Sequence, residues 1–523
     1  MSRTPSFASF KKIARLSTLC EQEGVSAKTA IELDRSRPSR RQVLKLAGGA
    51  ALGMAALGAG FRPRSAQPRI AILGGGLAGL AAADRLRARG YSATIYEAST
   101  RIGGRCKSLR GFFPNQVAEM GGEFIDTGHK TMINYAREFG LTLEDVNKEP
   151  GEPRYYFGGQ VYDDADVIAE YRDLSRRMQN DLRLSSGAPT FFAHNDYDIE
   201  LDYTDLETYL ATRGAGLPLI QAVMKEAYLA EYGLEPSQQS ALNFLLFAKV
   251  SQRSKFQPFG IFSDERYHVV EGNDAIASGI AQRLPGQMLF GRRLTHLKKN
   301  SAGEFELRFA GYSQVVKADY VICTIPFRVL RELNLDPSLG ISSDVRRAIN
   351  NVGFGLNAKT MVSFSGEPWL TNQGSNGTAY SDLTEVQTTW QTNPVNAGPT
   401  SILTDYAGGN RAASLGTRTV QAQVSAWVNQ LDVVYPGSKV AARKQGSNYI
   451  AAREDWPSNP LTKGGYTCYL PGQFTTIADL ESKPAGALKF AGEHADSFYS
   501  WQGFMEGACL SGIRGANEVL SDI

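Results

Sequence analysis

Apolar and polar positions along the chain fall into stretches with two different periods. Arg69–Leu73 (RIAIL) is short and almost continuously apolar, which predicts a buried strand. The glycine-rich Gly74-Gly75-Gly76-Leu77-Ala78-Gly79 follows, and Leu80 to Arg89 then carries a helical period that Gly90 stops. Tyr91–Glu97 (YSATIYE) predicts a second strand ending in an acid. Further buried strands are predicted at Ala318–Pro326 and from Leu488 into Gly492-Glu493, with a helix at Cys509–Leu520. Residues from about 161 to 255 change to helical periods, with amphipathic stretches at Val167–Leu182 and Leu217–Val250. The acidic, aromatic-rich Asn195–Tyr209 predicts a surface loop and the start of a helix.

The first strand, loop, helix and second strand form one mechanical unit. Gly74 makes the tight turn, Gly76 lets backbone approach a pyrophosphate, and Gly79 brings the helix against the sheet. Leu77 and Ala78 sit at the helix N-terminus, whose free N–H groups and partial positive charge suit phosphates. Glu97 lies 18 residues after Gly79, where a carboxylate accepts ribose hydroxyls. A lone GxGxxG is a weak signal, but its order with strand, helix and terminal acid makes it strong.

Composition narrows the class without changing this picture. The 523 residues are too many for one ordinary domain. Fifty-six basic against 53 acidic residues leave a net charge of +3, which gives no reason to expect nucleic acid. Five cysteines and five histidines lie far apart with no ligand spacing, so reduced thiols and no metal are expected. Ser39-Arg40-Arg41-Gln42-Val43-Leu44-Lys45 precedes 16 uncharged residues from Leu46 to Phe61, the pattern of twin-arginine export. That run is short for a membrane span. Residues 1–65 are therefore read as a leader outside the fold. A periplasmic or secreted protein with no membrane span in its mature form is expected.

Glu97-Ala98-Ser99-Thr100-Arg101-Ile102-Gly103-Gly104-Arg105 has the form E-A-x-x-R-x-G-G-R. It resembles the glutathione-reductase-like flavoproteins, and specifically the flavin amine oxidase family. The similarity runs from about Arg69 to the C-terminus. It implies an α/β protein: a discontinuous FAD-binding Rossmann domain (66–118, 264–331, 485–523) plus a mixed-sheet substrate domain (119–160, 332–484) with a helical insertion at 161–263. FAD is the implied cofactor. Ala98, Arg101, Gly103, Gly104 and Arg105 are the implied pyrophosphate and flavin-edge contacts.

Other stretches carry the same resemblance. Glu119-Met120-Gly121-Gly122-Glu123-Phe124 is similar to the family's E-x-G-G backbone beside the flavin ring. Glu271-Gly272-Asn273-Asp274 resembles a turn that opens a helix, with Asp274 also readable as an N-cap. Leu294 matches an apolar residue whose backbone meets the adenine. Lys359 matches a lysine one water from flavin N5, where a lowered pKa would help reoxidation or imine hydrolysis. The block Gly492-Glu493 … Gly503-Phe504-Met505-Glu506-Gly507-Ala508 matches the family's C-terminal signature. Glu493 is thereby implied at the ribityl or phosphate part, and Met505 near the flavin O2 side.

By the same resemblance, two aromatic rings grip the substrate. Phe504 or Trp501 supplies one, and Tyr466 or Tyr380 the other. Members with covalent flavin carry cysteine directly after the corresponding Gly-Gly; Tyr466 stands there, so noncovalent FAD is expected, with Cys468 the nearby exception. The implied reaction transfers hydride from carbon next to a neutral amine to the flavin. O2 then yields H2O2, and hydrolysis of the imine yields a carbonyl and ammonia. Phe124 stands where many L-amino acid oxidases place a carboxylate-clamping arginine, so the clamp is sought in Arg253–Tyr267, with Arg253, Lys255 and Arg266. The leader and G-G-E-F-I-D resemble bacterial exported L-amino acid oxidases, which places an L-amino acid ahead of an amine as substrate, with O2 as co-substrate. An exported flavin dehydrogenase with a partner acceptor is the third reading. Assembly as a homodimer is left open.

Overall fold

The computed structural model describes residues 67–248, 263–394 and 398–523. The leader expectation lies outside these residues, as do Arg253 and Lys255. The compact unit runs from Pro68 to Ile523.

Its nucleotide-binding half is built on five strands in the spatial order Leu488–Phe490, Tyr320–Cys323, Ile70–Leu73, Ala93–Tyr96 and Met288–Leu289. All pair in parallel, and the central strands, covered on both faces, are apolar almost throughout. IAIL and YVIC show this pattern. The helix Leu77–Arg87 crosses from the first strand to the second, and the C-terminal helix Met505–Asp522 packs against it. A Cβ at Gly512 would lie 2.1 Å from the Ala78 carbonyl oxygen, so only glycine permits that approach. Three antiparallel strands, Leu294–Lys299, Phe305–Phe309 and Val316–Ala318, form a small separate sheet.

Seven strands form the second half, in the order Ala451–Asp455, Asn357–Ser365, Thr400–Gly408, Thr388–Thr392, Ser375–Ser381, Glu152–Phe157 and Gln160–Tyr162. Ser375–Ser381 pairs in parallel with Glu152–Phe157 and the other neighbours are antiparallel, which makes this the mixed sheet. Helices Asp164–Leu184, Asp196–Tyr203, Leu206–Arg213, Pro218–Tyr232 and Ala241–Ala248 form the insertion. No helix among the described residues is long and apolar enough to cross a membrane.

Several expectations are corrected. The stretch Leu217–Val250 is not one helix: Gly233 at φ +66° ends Pro218–Tyr232, and a new helix starts at Ala241. Asn195–Tyr209 is not a surface loop. It forms two short helices, with Asp198 and Asp202 fully buried because their carboxylates hold backbone amides, Asp198 those of Asn195 and Ser186, Asp202 those of Phe474 and Thr475. The predicted strand at Ala318–Pro326 starts at Tyr320, because Ala318 belongs to the small antiparallel sheet. Asp274 is the first helical residue rather than the cap; Asn273 precedes it. The segment assigned to the substrate domain from residue 119 packs first on the nucleotide half: Ile125, Met132, Ile133 and Ala136 share a core with Ile72 and Leu80.

Candidate active site

One cavity of about 1020 Å³ joins the two halves of the unit. Its first end is made of backbone. Gly74 has φ +113°, and a Cβ there would lie 2.4 Å from Thr324 Oγ1. A Cβ at Gly79 would lie 2.0 Å from the Gly74 carbonyl oxygen, so this residue packs helix against loop and does not itself line the cavity. Gly76, Leu77 and Ala78 do line it, and no side chain caps the helix they begin. Its first N–H groups are thus available to an anionic group. Gly103 and Gly104, both at positive φ, close the opposite wall; the Gly103 N–H donates to the Gly75 carbonyl at 2.9 Å. The Glu97 carboxylate is fixed by the amides of Gly75 (2.6 Å) and Ser99 (2.7 Å), one to each oxygen, and faces the same space. Ala98, Arg101 and Leu294 complete this end. These features fit the dinucleotide part of a flavin cofactor.

The middle of the cavity is a set of cross-links between distant segments. Arg105 donates to Glu493 at 2.9 Å and to the Gly465 carbonyl. The other Glu493 oxygen accepts from Gly503 N–H and the Thr467 hydroxyl, each at 3.1 Å. Glu493 is therefore a clamp on three wall segments as well as a wall residue itself. A Cβ at Gly121 would lie 1.7 Å from the Arg105 carbonyl oxygen, and one at Gly122 would lie 2.8 Å from Met505 Sδ. Asn273 Nδ2 donates to the carbonyls of Gly122 and Glu123, and Trp456 Nε1 to that of Met120. The resemblance places the backbone of this stretch at the cofactor; the Met120 side chain packs with Phe113, Met361 and Ile402, behind the wall. Glu506 faces away as well, accepting from the amides of Thr131 and Met132 at the start of the helix Lys130–Glu138.

The far end is built of side chains. Lys359 is 4% exposed, and its ammonium donates to Glu123 Oε2 (2.6 Å) and to the carbonyls of Gly121 (2.8 Å) and Glu119 (3.3 Å). Its shortest contact is with the Glu123 carboxylate. Trp390 Nε1 donates to the other Glu123 oxygen at 3.0 Å. Tyr380, Tyr406, Tyr466, Phe124, Phe247, Trp501 and Phe504 supply the aromatic walls. Phe504 stacks on Phe247, with centroids 6.4 Å apart and planes within 14°. Trp501 meets the buried His129 edge-on at 4.3 Å. The Tyr466 hydroxyl joins that of Tyr406 at 3.0 Å and donates to the Glu231 carbonyl.

Besides Glu123, three further carboxyl groups line this chamber. Burial, then Asp126, pushes Glu231 up to about 7. Burial, then Glu231, raises Glu265 well above the carboxylate range. Burial, then Asp264, brings Asp126 to about 7. His129, desolvated, falls to about 3 and stays neutral. Glu231, Glu265, Trp390, Tyr406 and Phe247 were not anticipated, and no local motif marks them, because each comes from a different element; Asp126 ends the G-G-E-F-I-D stretch but was given no role there. Arg266, one of the expected carboxylate clamps, turns away to pair with Asp145 at 2.8 Å.

A nucleotide cradle continuous with an aromatic and acidic chamber defines an oxidoreductase that brings a bound cofactor to an organic substrate. The family model for flavin containing amine oxidoreductases matches residues 77–520, and the chain belongs to that family. It is 26% identical over 477 residues to a putative L-amino-acid oxidase, YobN, of Bacillus subtilis (strain 168), covering 86% of this chain and 94% of that one. It is 21% identical over 489 residues to the L-amino-acid oxidase of Protobothrops flavoviridis (88% and 90% covered). It is 26% identical over 487 residues to the flavin-dependent L-tryptophan oxidase RebO of Lentzea aerocolonigenes (85% and 97%). Among solved structures, cyclohexylamine oxidase from Brevibacterium oxydans IH-35A superposes with a TM-score of 0.73 at 18% identity, over 87% of this chain and 99% of that one. Putrescine oxidase bound to putrescine gives 0.73 at 20% identity, with the same coverage. These likenesses establish the fold.

Proposed function

We propose that this chain is an FAD-dependent oxidase that deaminates L-amino acids: amino acid, O2 and water become 2-oxo acid, ammonia and H2O2. The observation that carries the reading is the single cavity running from Glu97, through the Arg105–Glu493 clamp, to Lys359 and the aromatic chamber. Held by the 74–78 loop, Glu97, Arg105 and Glu493, FAD would supply the hydride acceptor and the two-electron route to O2. The protein's part is positioning. Lys359 and Trp390 hold Glu123 rigid between them, and Phe504, Trp501, Tyr466 and Tyr380 orient the substrate while excluding water. Relatives named as L-amino-acid oxidases, aligned over nearly their whole length, support the amino-acid reading.

One observation favours a second reading, oxidation of an amine without a carboxylate. Among the described residues, Arg101, Arg105, Arg292 and Arg293 are the arginines on the cavity wall. Arg105 is paired with Glu493, and Arg292 lies beside Glu97. None stands with Glu231 in the chamber. Measuring H2O2 over a panel of L-amino acids and amines, beside an artificial electron acceptor, separates the readings. Activity confined to amines overturns the first, and acceptor reduction without H2O2 points to a dehydrogenase.

The FAD is proposed to be noncovalent. Tyr466 occupies the position after Gly464-Gly465, and burial raises the Cys468 thiol beside Asn243. Acid precipitation should leave the yellow colour in the supernatant; colour in the pellet rejects this. Export by the twin-arginine route is proposed from Arg40-Arg41, and replacing both by lysine should hold the protein in the cytoplasm.

A further inference from the structure

We infer that the substrate carries a second cationic centre, a basic side chain or a distal amine, and that Glu231 and Glu265 receive it. The inference rests on the proposed oxidation of an amine nitrogen and names the substrate class of the same chamber.

Charge balance is the first argument. The chamber's one cation among the described residues, Lys359, is matched by Glu123 at 2.6 Å. Arg105, further along the wall, is matched by Glu493. Glu231 and Glu265 line the same cavity, and no Lys or Arg among the described residues forms an ion pair with either. The second observation concerns Asp126, which is 1% exposed and also lines the cavity. Its Oδ1 accepts from the amides of Glu265 (2.7 Å) and Asp264 (3.2 Å) and from the hydroxyl of Ser263 (3.0 Å); its Oδ2 makes no hydrogen bond and has only the neutral His129 Nε2 beside it, at 3.4 Å. A buried carboxyl oxygen without a partner is costly unless a guest meets it.

Position and surroundings suit a cation. Glu231 closes the helix Pro218–Tyr232, one residue before its end, and its carbonyl is held by the Tyr466 hydroxyl. Glu265 is fixed through its amide by Asp126. Tyr380, Tyr406 and Tyr466 stand close enough for one or both carboxyls to perturb their hydroxyls. Their rings offer π faces and their carboxyl neighbours offer charge, the two features that stabilise an ammonium or guanidinium out of water. A neutral aliphatic side chain in the same place would leave both carboxyls desolvated and unpaired.

The holoenzyme is tested on isosteric pairs: L-lysine against L-norleucine, L-arginine against L-citrulline, and 1,4-diaminobutane against butylamine. The first two pairs probe a basic amino acid, the third a diamine. For at least one pair the basic member should be favoured at least 100-fold in kcat/KM. In E231Q and in E265Q that ratio should fall at least tenfold, mainly through KM. Equal kcat/KM within every pair, or ratios unchanged in both variants, overturns the inference. The wild-type comparison needs no variant to fold. Absence of turnover with every compound would sink the oxidase reading instead. The inference is then read from anaerobic titration of the flavin absorption bands. Tighter binding of L-lysine than of L-norleucine supports it, and equal binding overturns it.

Discussion

At one end of the cavity the wall is glycine backbone: Gly74, Gly76, Gly103 and Gly104, with a helix end that no side chain caps. At the other end it is carboxyls, an ammonium and aromatic rings drawn from at least five separate elements. The first end binds by shape, since N–H groups and space are all that a pyrophosphate requires. The second binds by charge and π faces, which can be exchanged one at a time while the fold persists. Damage at the two ends should therefore have different signatures. The backbone end should lose cofactor and stability together, and the side-chain end should lose selectivity or rate with the cofactor retained.

The largest effect is expected at Gly79. In Gly79→Val the new Cβ would stand 2.0 Å from the Gly74 carbonyl oxygen, and neither helix nor loop can withdraw without opening the cradle. A loss beyond about 4 kcal/mol is expected, with purified protein nearly free of flavin. The ratio of flavin to protein absorbance decides it; a variant that keeps full colour would break the contrast between the two ends.

Lys359 comes next. Lys359→Met leaves Glu123 buried with one partner, Trp390, and should cost about 3 kcal/mol. Flavin should be retained while turnover falls at least tenfold. Adding Glu123→Leu should restore most of the melting temperature without restoring turnover. If the double variant turns over like the parent, both residues are structural only.

The two ends also differ in how much of them the amino-acid pattern reveals. The nucleotide cradle is local: Gly74 to Glu97 are contiguous, their order is dictated by mechanics, and the strands at 70 and 93 fall within two residues of where the pattern puts them. The chamber is not local. Glu231 lies in a helical run that reads as uniformly amphipathic, Glu265 in a charged loop, and Trp390 on a strand with no motif. They meet only because the mixed sheet packs beside the nucleotide half, and long-range packing leaves no mark on a single segment. Met120 shows the converse. Its side chain packs behind the wall with Phe113, Met361 and Ile402, while the next two residues, Gly121 and Gly122, line the cavity; a motif marks where the backbone runs, not where each side chain goes.

Glu506 sharpens the comparison because its motif belongs to the cofactor end while its carboxylate serves a neighbouring helix. It accepts from Thr131 N–H at 2.8 Å and Met132 N–H at 2.9 Å, capping Lys130–Glu138 from outside. Glu506→Gln keeps an acceptor but loses the charge that favours a helix N-terminus, so about 1 kcal/mol should be lost. Flavin content and substrate selectivity should stay as in the parent. A fall in flavin occupancy would instead make Glu506 part of the cofactor site.

The smallest effect is a pH dependence that belongs to the chamber alone. Burial lifts Glu231 from 4.5 to about 7, so its protonated form is favoured in the folded chain relative to the unfolded one. A raised pKa contributes stability that is complete below about 4.5, declines as pH climbs, and is gone above about 7. The carboxyl opens onto the cavity, where solvent screens part of the penalty, so the expected fall in Tm over that window is about 1 to 2 °C. Glu231→Gln cannot ionise and should flatten this part of the profile, whereas Glu506→Gln should leave it intact. A dicationic guest reverses the sign, because it binds the ionised carboxyl better. Saturating L-lysine should therefore raise Tm more at pH 8 than at pH 5, and L-norleucine should not. Identical Tm profiles for the parent and Glu231→Gln would remove Glu231 from the chamber's electrostatics, leaving Glu265 and Asp126 as its acidic residues besides the Lys359-paired Glu123.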